Sequence, residues 1–114
     1  MTSIPDVGDI AWIDLDPVKG TEQSGRRPVI ILTDAEFNAR YVRSIICPIT
    51  SNVTPWPTKV LLPAGLKTRG AILADQPRTV HRDLRGFRFI ERAPAETLSE
   101  VRAILAALLQ IEQT

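Results

Sequence analysis

The first 90 residues alternate short apolar runs with turn-forming residues, and this alternation restricts the fold more than any other feature of the sequence. Residues 28–33 and 44–49 are almost continuously apolar and rich in β-branched side chains, as is usual for strands buried on both faces. Further candidate strands are residues 10–15, 58–62, 71–74 and 87–90. The chain contains neither G-x-G-x-x-G nor G-x-x-x-x-G-K-[ST]. The pattern therefore predicts six or so short strands curled into a small barrel and excludes a Rossmann domain.

Residues 94–112 form the clearest predicted helix. Pro94 suits its first turn, and Glu96 complements the positive amino end of a helix. Apolar residues recur at helical spacing, at Leu98, Val101, Leu105 and Leu108. Because the apolar face is broader than one stripe, we expect it to cover the sheet on one side and a partner on the other. The predicted fold class is mainly β with a C-terminal α-helix.

A second, short helix is expected near residues 34–40. The sequence T-D-A-E at residues 33–36 has the form of a capping box. In this interpretation the Thr33 hydroxyl accepts from the amide of Glu36, and the Glu36 side chain returns to the amide of Thr33.

Length and composition indicate one globular domain spanning residues 1–114. Of the 114 residues, 44% are hydrophobic and 24% charged, which argues against disorder. No apolar run approaches the roughly 18 residues of a membrane span, and the N-terminus lacks the pattern of a secretory signal. The single cysteine, Cys47, lies in an apolar run, where we expect a core residue that forms no intramolecular disulfide. These observations favour a cytoplasmic protein without a membrane segment.

The formal net charge of +1 conceals an uneven distribution of charge. Residues 1–25 carry five acidic side chains against one lysine, whereas residues 67–92 carry seven lysine or arginine side chains against three acidic ones. A stretch rich in arginine is compatible with phosphate recognition. A solvated charged surface is the alternative explanation.

The segment between the first two strands, residues 16–28, is the most informative part of the chain. It is longer than a tight hairpin needs, and it contains a carboxylate, an amide and two guanidinium groups, on Glu22, Gln23, Arg26 and Arg27. Because neighbouring strand residues face opposite ways, one arginine should point inward and the other outward. An arginine at a rigid strand base can clamp a phosphate with two hydrogen bonds. The alternative is a hairpin whose arginines only pair with nearby acids.

Polar and aromatic side chains follow the second β-branched run. Thr50 and Ser51 stand at the end of that strand, where a hydroxyl can contact a phosphate oxygen or simply cap a turn. Trp56 lies between two prolines in an extended loop and is a candidate for stacking on a base or binding a partner. Trp12 alternates with its neighbours on the first strand and is expected in the core.

Other catalytic chemistries find little support in the sequence. Asp14 and Asp16 could share a strand face, but two carboxylates without a third ligand are a weak metal signal. His81 is the only histidine, which excludes a ribonuclease that uses two histidines of one chain. No G-x-S-x-G elbow of a serine hydrolase occurs.

Four sequence blocks together resemble the MazF/PemK toxins of bacterial toxin–antitoxin systems. They are G-D-I-A-W-I-D-L-D-P at residues 8–17, G-x-E-Q-x-G-x-R-P at 20–28, P-I-T-S at 48–51 and L-A-D-Q at 73–76, followed by Arg78. The resemblance runs in register from Gly8 to Leu109. It implies an SH3-like barrel that forms a homodimer and cleaves single-stranded RNA at short sequences without a metal or other cofactor. It also implies a partner antitoxin of the MazE type.

The resemblance further implies the residues of the active site. The family's arginine corresponds to Arg27, its threonine to Thr50, and its loop glutamate to Glu22. Arg27 would hold the scissile phosphate and stabilise its added charge, Thr50 would position a phosphate oxygen, and Glu22 would be the general base. The residues expected to contact RNA are Gln23, Arg26, Ser51, Trp56, Gln76 and Arg78.

The sequence departs from the family pattern at two places. Pro77 stands where an aliphatic residue is usual, which implies a sheet edge or bulge there. Thr58 and Lys59 differ after the aromatic–proline pair formed by Trp56 and Pro57, in a loop expected to contact RNA bases.

Two other functions compete with the nuclease. A gyrase-binding toxin of the CcdB type shares the fold but does not need the loop at residues 20–28. A non-catalytic RNA-binding barrel would carry an aromatic stacking platform, whereas the six aromatic residues here are scattered. The favoured function is the nuclease, and its dimer interface is predicted to use the C-terminal helix and the strand near residues 44–50.

Overall fold

The computed structural model describes residues 4–15 and 25–112, and these residues form seven strands and two helices. The strands are β1 (Asp9–Asp14), β2 (Arg26–Ile31), β3 (Arg43–Thr50), β4 (Lys59–Leu61), β5 (Ala71–Leu73), β6 (Arg78–His81) and β7 (Arg88–Arg92). Helix α1 (Ala35–Arg40) connects β2 to β3, and helix α2 (Ala95–Leu109) follows β7. The predicted fold class, mainly β with a C-terminal helix, is confirmed.

Strand β3 organises the sheet. Its eight residues pair with β2 on one side, and on the other side with β6 near its start and with β5 near its end. The order across the sheet is β4-β5-β3-β2-β1-β7, with β6 added beside β3, and every recorded pairing is antiparallel. The end of β3 thus adjoins both the start of β2 and the β4–β5 hairpin.

The two faces of the central strands pack into two separate apolar clusters. The first core contains Ile10, Ile30 and Cys47, together with β4 and β5 side chains and Val101 of α2. The second core contains Ile13, Ile31 and other side chains on the opposite face of the same strands. Cys47 is fully buried as predicted, and burial together with the charge of Asp75 raises the pKa of its thiol to about 12.

Helix α2 covers the first core with one face. Its Val101 is fully buried, and Leu98 and Leu105 pack on the same cluster, in agreement with the predicted spacing. Leu108 and Leu109 on the last turn are exposed. In the part of the chain that the structure describes, no helix is long and apolar enough to cross a membrane.

Three expectations need correction. The structure contains β6, which the sequence pattern missed because only Val80 of that strand is buried. Helix α1 is capped by Asp34 rather than Thr33: the Asp34 carboxylate accepts from the amide of Phe37, and the Thr33 hydroxyl donates to Asn38. Trp12 is not a core residue, since 36% of its surface is exposed.

The buried side chain of Asn38 fixes α1 to the sheet. Its amide nitrogen donates to the carbonyl oxygens of Pro5 and Thr33, and its amide oxygen accepts from the hydroxyls of Thr33 and Ser44. The guanidinium of Arg82 donates to the Ser44 hydroxyl at 2.8 Å and to the Asn38 carbonyl at 2.9 Å. Buried polar groups with this many partners are satisfied, so the network fixes one geometry without leaving unpaired donors.

Glu91 connects β7, at one end of the strand order, to the β4–β5 hairpin at the other end. Its carboxylate accepts from the amides of Lys67 and Thr68 at 2.9 and 2.8 Å, and from the Thr68 hydroxyl at 2.7 Å. Burial opposes the ionised form, but these three hydrogen bonds outweigh it and lower the pKa of Glu91 below its ordinary value of 4.5. The ionised carboxylate thus closes the barrel.

We predict that Glu91→Gln destabilises the protein by about 1–3 kcal/mol at neutral pH, because hydrogen bonds to a charged acceptor are weakened. A carboxyl whose pKa is lowered on folding stabilises above its unfolded pKa, and that contribution disappears as the pH falls through the folded pKa. Denaturant unfolding from pH 7 downward should therefore show the difference between wild type and variant shrinking below pH 4.5. The exposed Glu100→Gln is the matched control, and a difference that is equally large at every pH would contradict this role.

Candidate functional site

A groove of about 370 Å³ opens where the start of β2 meets the end of β3. Its lining residues are Leu15, Arg27, Pro48, Ile49, Thr50, Leu73, Gln76, Pro77 and Arg78. Four of them, Arg27, Thr50, Gln76 and Arg78, are among the site residues predicted from the sequence. These four come from three different parts of the chain, and the fold brings them to one groove.

The register of β2 and β3 explains why Arg27 and Thr50 lie together. Val29 is opposite Pro48 in the antiparallel pair, so two further steps along each strand lead to Arg27 and to Thr50. Side chains two residues apart share a strand face, which puts all four on the side of the second core. The groove therefore lies at the end of the sheet face whose apolar side chains form the second core.

Arg26 and Arg27 point to opposite faces of β2, as the alternation of strand side chains predicts. Arg27 lines the groove, whereas the guanidinium of Arg26 lies 5.8 Å from the ring centroid of Trp12 on the other face. Of the two neighbouring arginines, Arg27 is thus the one that faces the groove.

The Thr50 hydroxyl accepts a hydrogen bond from the amide of Asn52 at 3.1 Å. This contact caps the turn after β3, which was the alternative role considered for Thr50. A hydroxyl has one donor and two acceptor positions, so a hydroxyl that accepts from an amide keeps its proton for a ligand. The turn contact fixes the orientation of the side chain without using its donor.

The backbone of Thr50 is held in place by Gly70 at the start of β5. Gly70 has a φ of +127°, and a Cβ atom there would overlap the carbonyl oxygen of Thr50. Its own carbonyl accepts from the amide of Leu62, and the next residue, Ala71, is paired with Thr50. Glu91 fixes residues 67 and 68 of the same hairpin, so the closure of the barrel and the position of Thr50 depend on one segment.

Two arginines converge on the carbonyl oxygen of Leu15, at the end of β1. The Arg78 guanidinium donates to this oxygen at 3.2 Å, and that of Arg85 donates to it at 3.3 Å. Arg85 also accepts, through its carbonyl, from the amide of Asp14 at 2.8 Å. Arg78 was predicted from the sequence as a site residue but Arg85 was not, because nothing local connects Arg85 to a carbonyl 70 residues away.

Ser51 and Trp56 lie in the loop between β3 and β4 and do not line the groove. Lys59 donates to the carbonyl oxygens of Asn52 and Thr54 at 2.8 and 3.0 Å, which fixes the loop between β3 and β4. Trp56, between its two prolines, has 64% of its surface exposed. An exposed indole in the loop that follows Thr50 suits a stacking contact.

The predicted carboxylate and amide of the long loop, Glu22 and Gln23, lie outside the described residues. A carboxylate that the sequence analysis did not single out, Asp75, lies in a turn closed by the hydrogen bond from the Gln76 amide to the Leu73 carbonyl. Both ends of this turn line the groove. Among residues 4–15 and 25–112 no three histidine, cysteine, aspartate or glutamate side chains come together as a metal site.

The chain matches a known family over almost its whole length. The sequence model described as "PemK-like, MazF-like toxin of type II toxin-antitoxin system" matches residues 6–109. The endoribonuclease PemK of Escherichia coli is 37% identical over 106 residues, which cover 90% of this chain and 80% of PemK. The endoribonuclease toxin MazF of E. coli K12 is 32% identical over 106 residues, covering 93% of this chain and 95% of MazF.

Solved structures agree with these similarities. A crystal structure of MazF from Deinococcus radiodurans superposes with a TM-score of 0.88 at 37% identity, covering 96% of this chain and all of that one. A crystal structure of MazE-MazF from the same organism gives a TM-score of 0.91 at 37% identity, covering 97% of this chain and 100% of that one. The similarity therefore includes the three-dimensional fold as well as the sequence.

We predict that Gly70→Ala destabilises the protein much more than Gly65→Ala. Both glycines have a positive φ, so each alanine carries backbone strain of about 1–2 kcal/mol. A Cβ at Gly65 meets nothing within 4 Å, whereas a Cβ at Gly70 must displace the Thr50 carbonyl. The free energy of unfolding from denaturant titration should fall by at least about 2 kcal/mol more for Gly70→Ala. Equal losses in the two variants would show that the contact with Thr50 does not constrain the hairpin.

Proposed function

The chain belongs to the family of PemK-like, MazF-like toxins of type II toxin–antitoxin systems and is an endoribonuclease toxin, and we propose that it cleaves single-stranded RNA at the groove formed by β2 and β3. The observation that carries this proposal is the presence of Arg27 and Thr50 in one groove of about 370 Å³. A guanidinium and a hydroxyl that both donate hydrogen bonds suit a phosphodiester, which has only acceptors.

In the proposed reaction the 2′-hydroxyl oxygen of one nucleotide attacks its own 3′ phosphorus, and the bond to the 5′ oxygen of the next nucleotide breaks. The products are a 2′,3′-cyclic phosphate and a 5′-hydroxyl. Negative charge grows on the phosphate oxygens as the fifth bond forms, and the Arg27 guanidinium stabilises this charge. The Thr50 hydroxyl donates to another phosphate oxygen and holds the phosphate for in-line attack.

Two proton transfers complete the reaction. A carboxylate takes the proton of the 2′-hydroxyl, and we propose Glu22 for this role, with Asp75 as the second candidate because its turn borders the groove. The 5′ oxygen receives a proton from water, since an arginine side chain is too weak an acid to donate readily. Neither step requires a metal ion or an organic cofactor.

The neighbouring side chains account for recognition of single-stranded RNA. Gln76 offers both a donor and an acceptor to a base edge, and Arg78 adds a positive charge to the groove. Ser51 and Trp56, in the loop beside the groove, supply a hydroxyl and a stacking surface for unpaired bases. Arg26, and Gln23 of the long loop, complete the proposed set of RNA contacts. Cleavage at short specific sequences follows from base contacts of this kind.

A second groove, of about 750 Å³, supports the proposed homodimer. It lies between α2 and the sheet, and apolar side chains such as Leu32, Ile45, Leu105, Leu109 and Ile111 line it. Pro77 lines this groove as well as the one that contains Arg27 and Thr50, so a second subunit seated here would border the active site. These are the helix and the strand that the sequence analysis predicted for the interface.

An antitoxin of the MazE type is the proposed macromolecular partner, because a similar structure is a MazE-MazF complex. RNA as the substrate points to the cytoplasm as the place of action. A gyrase-binding toxin of the CcdB type is not favoured, because the similar curated proteins are named endoribonucleases.

Mapping cleavage ends on a long RNA in the presence of EDTA tests the proposal. We expect cuts at one recurring short sequence, with 5′-hydroxyl and 2′,3′-cyclic phosphate ends. Arg27→Ala should lower the cleavage rate by about 10²- to 10³-fold, as loss of a charge-stabilising donor does elsewhere, and Thr50→Ala by about 10- to 100-fold. Comparing Glu22→Gln with Asp75→Asn identifies the base.

The matched controls for these variants are Arg40→Ala on α1 and Thr79→Ala on β6, which keep the groove intact. Both should cleave at the wild-type rate. Cleavage that needs a divalent metal, or products with 5′-phosphate ends, would contradict the proposed reaction. Loss of folding rather than of activity in Arg27→Ala would show that this arginine is part of the scaffold.

A further inference from the structure

Trp12 is a large aromatic side chain on β1 that belongs to neither of the two apolar cores. Its strand neighbour Ile10 is fully buried in the first core, yet two residues further along the same face Trp12 has 36% of its surface exposed. Directly opposite Trp12 are Pro28 on β2 and Arg88 on β7. The indole therefore lies in the middle of three paired strands, on the face that packs into the first core at Ile10 but is partly exposed at Trp12.

Arginines flank this indole on both neighbouring strands. The Arg26 guanidinium lies 5.8 Å from the ring centroid, within the range of a cation–π contact. Arg88, also exposed, is the direct cross-strand neighbour of Trp12, and such pairs have Cβ atoms about 5 Å apart. Asp14 is in register with Arg26 and adds one carboxylate to the same face. We call Trp12, Arg26 and Arg88 the Trp12 cluster.

Arginine side chains lie at the groove, at the end of β1 and in the Trp12 cluster. Arg78 lines the groove, and Arg78 and Arg85 both bind the carbonyl oxygen of Leu15, which also lines it. Arg88 follows three residues after Arg85, at the start of β7. None of Arg78, Arg85 and Arg88 forms an ion pair with any residue in the ranges 4–15 and 25–112. Their charges are therefore not neutralised by an acidic partner within these ranges.

We propose that the Trp12 cluster is a subsite for nucleotides that flank the scissile phosphate of the RNA substrate. A base stacks on the exposed indole, and Arg88 contacts the phosphate beside it. Aromatic rings with neighbouring cations are the combination by which proteins hold single strands without reading a particular base. This inference rests on the proposed function, because it extends the path of the same RNA.

The groove and the Trp12 cluster lie on opposite faces of β1 and β2, near the same end of both strands. Arg27 lines the groove while its neighbour Arg26 lies at Trp12, and Leu15 and Trp12 likewise point to opposite faces. An RNA that occupies both sites must therefore pass round this end of the strands, a route longer than the roughly 10 Å between Leu15 and Trp12 along β1. An RNA that fills only the groove would not reach Trp12, so the extension must be several nucleotides long.

The cluster suits RNA better than it suits a protein partner. It consists of one indole with a guanidinium group on each neighbouring strand, beside Pro28. Larger exposed apolar groups lie elsewhere: Phe37 of α1 contacts the ring of Tyr41, which follows α1, and Leu109 and Ile111 are at the end of α2. A protein interface normally has an apolar centre depleted of charged residues.

The test uses Trp12 fluorescence in a protein that carries Trp56→Phe, so that Trp12 is its only tryptophan. The ligands are RNA oligonucleotides made uncleavable by a 2′-deoxy nucleotide at the mapped cleavage position. One fills the groove only, and two others carry four extra nucleotides on the 5′ or the 3′ side. We expect one extension to quench Trp12 and to tighten binding about tenfold, while the short oligonucleotide leaves the fluorescence unchanged.

Substitutions in the cluster should remove the gain from the extension. Trp12→Ala should bind short and long oligonucleotides equally, and Trp12→Phe should keep most of the gain. Arg88→Gln should weaken only the long oligonucleotide, and it should reduce the slope of log affinity against log salt by about 0.7. The matched controls are Arg40→Gln, an exposed arginine on α1, and Tyr41→Ala, the exposed aromatic residue that follows it, and neither should change binding.

The outcomes separate this inference from the proposed function. A wild-type protein that cleaves no RNA would overturn both. Normal cleavage with equal affinity for the short and both long oligonucleotides would overturn the Trp12 subsite alone. Trp12→Ala that weakens binding of the antitoxin but not of extended RNA would also overturn it, since it would assign this surface to a protein.

Discussion

The antiparallel register of β2 and β3 is the constraint on which the rest of the structure depends. With Val29 opposite Pro48, each strand continues for two residues and delivers Arg27 and Thr50 to the same end of the same face. A shift of one residue would turn one of these side chains to the other face, because strand side chains alternate. The two cores fix the register, since Ile30 and Cys47 pack on one face while Ile31 and Ile46 pack on the other.

Contacts with the backbone surround the groove. Gly70 approaches the Thr50 carbonyl more closely than any other residue type allows, and the hairpin that carries it is attached to β7 through Glu91. Two guanidinium groups hold the Leu15 carbonyl at the point where the long loop leaves β1. A fixed arrangement of donors stabilises developing charge better than a mobile one, because the donors need not reorganise during the reaction. In this protein the closure of a small barrel and the arrangement of its site involve the same contacts.

Periodicity was sufficient to predict much of the fold, and the reasons for the failures are specific. The β-branched runs and the helical spacing of Leu98, Val101 and Leu105 identified most strands and α2, because burial imposes those patterns. β6 was missed because only Val80 of that strand enters a core. The prediction that Trp12 is a core residue was wrong. Alternation indicates which face of a strand a residue occupies, but it does not indicate how far along that face the first core extends.

The candidate site was predictable only in part, for related reasons. The resemblance to the MazF/PemK family identified Arg27, Thr50, Gln76 and Arg78, which the fold gathers in the groove. Arg85 and Gly70 could not be found in this way, because their contacts with Leu15 and Thr50 depend on the folded chain. The roles of Glu22 and Gln23 remain predictions, since both lie outside the described residues.

A double-mutant cycle on Arg27 and Thr50 tests the central claim most directly. The rates to compare are those of single-turnover RNA cleavage by wild type, Arg27→Ala, Thr50→Ala and the double variant. If both side chains act on one phosphate, the double variant should lose less than the product of the two single losses, with a coupling of at least about 1 kcal/mol, roughly fivefold. Strictly multiplicative losses would mean that the two groups act independently, and they would contradict the account of a shared phosphate site.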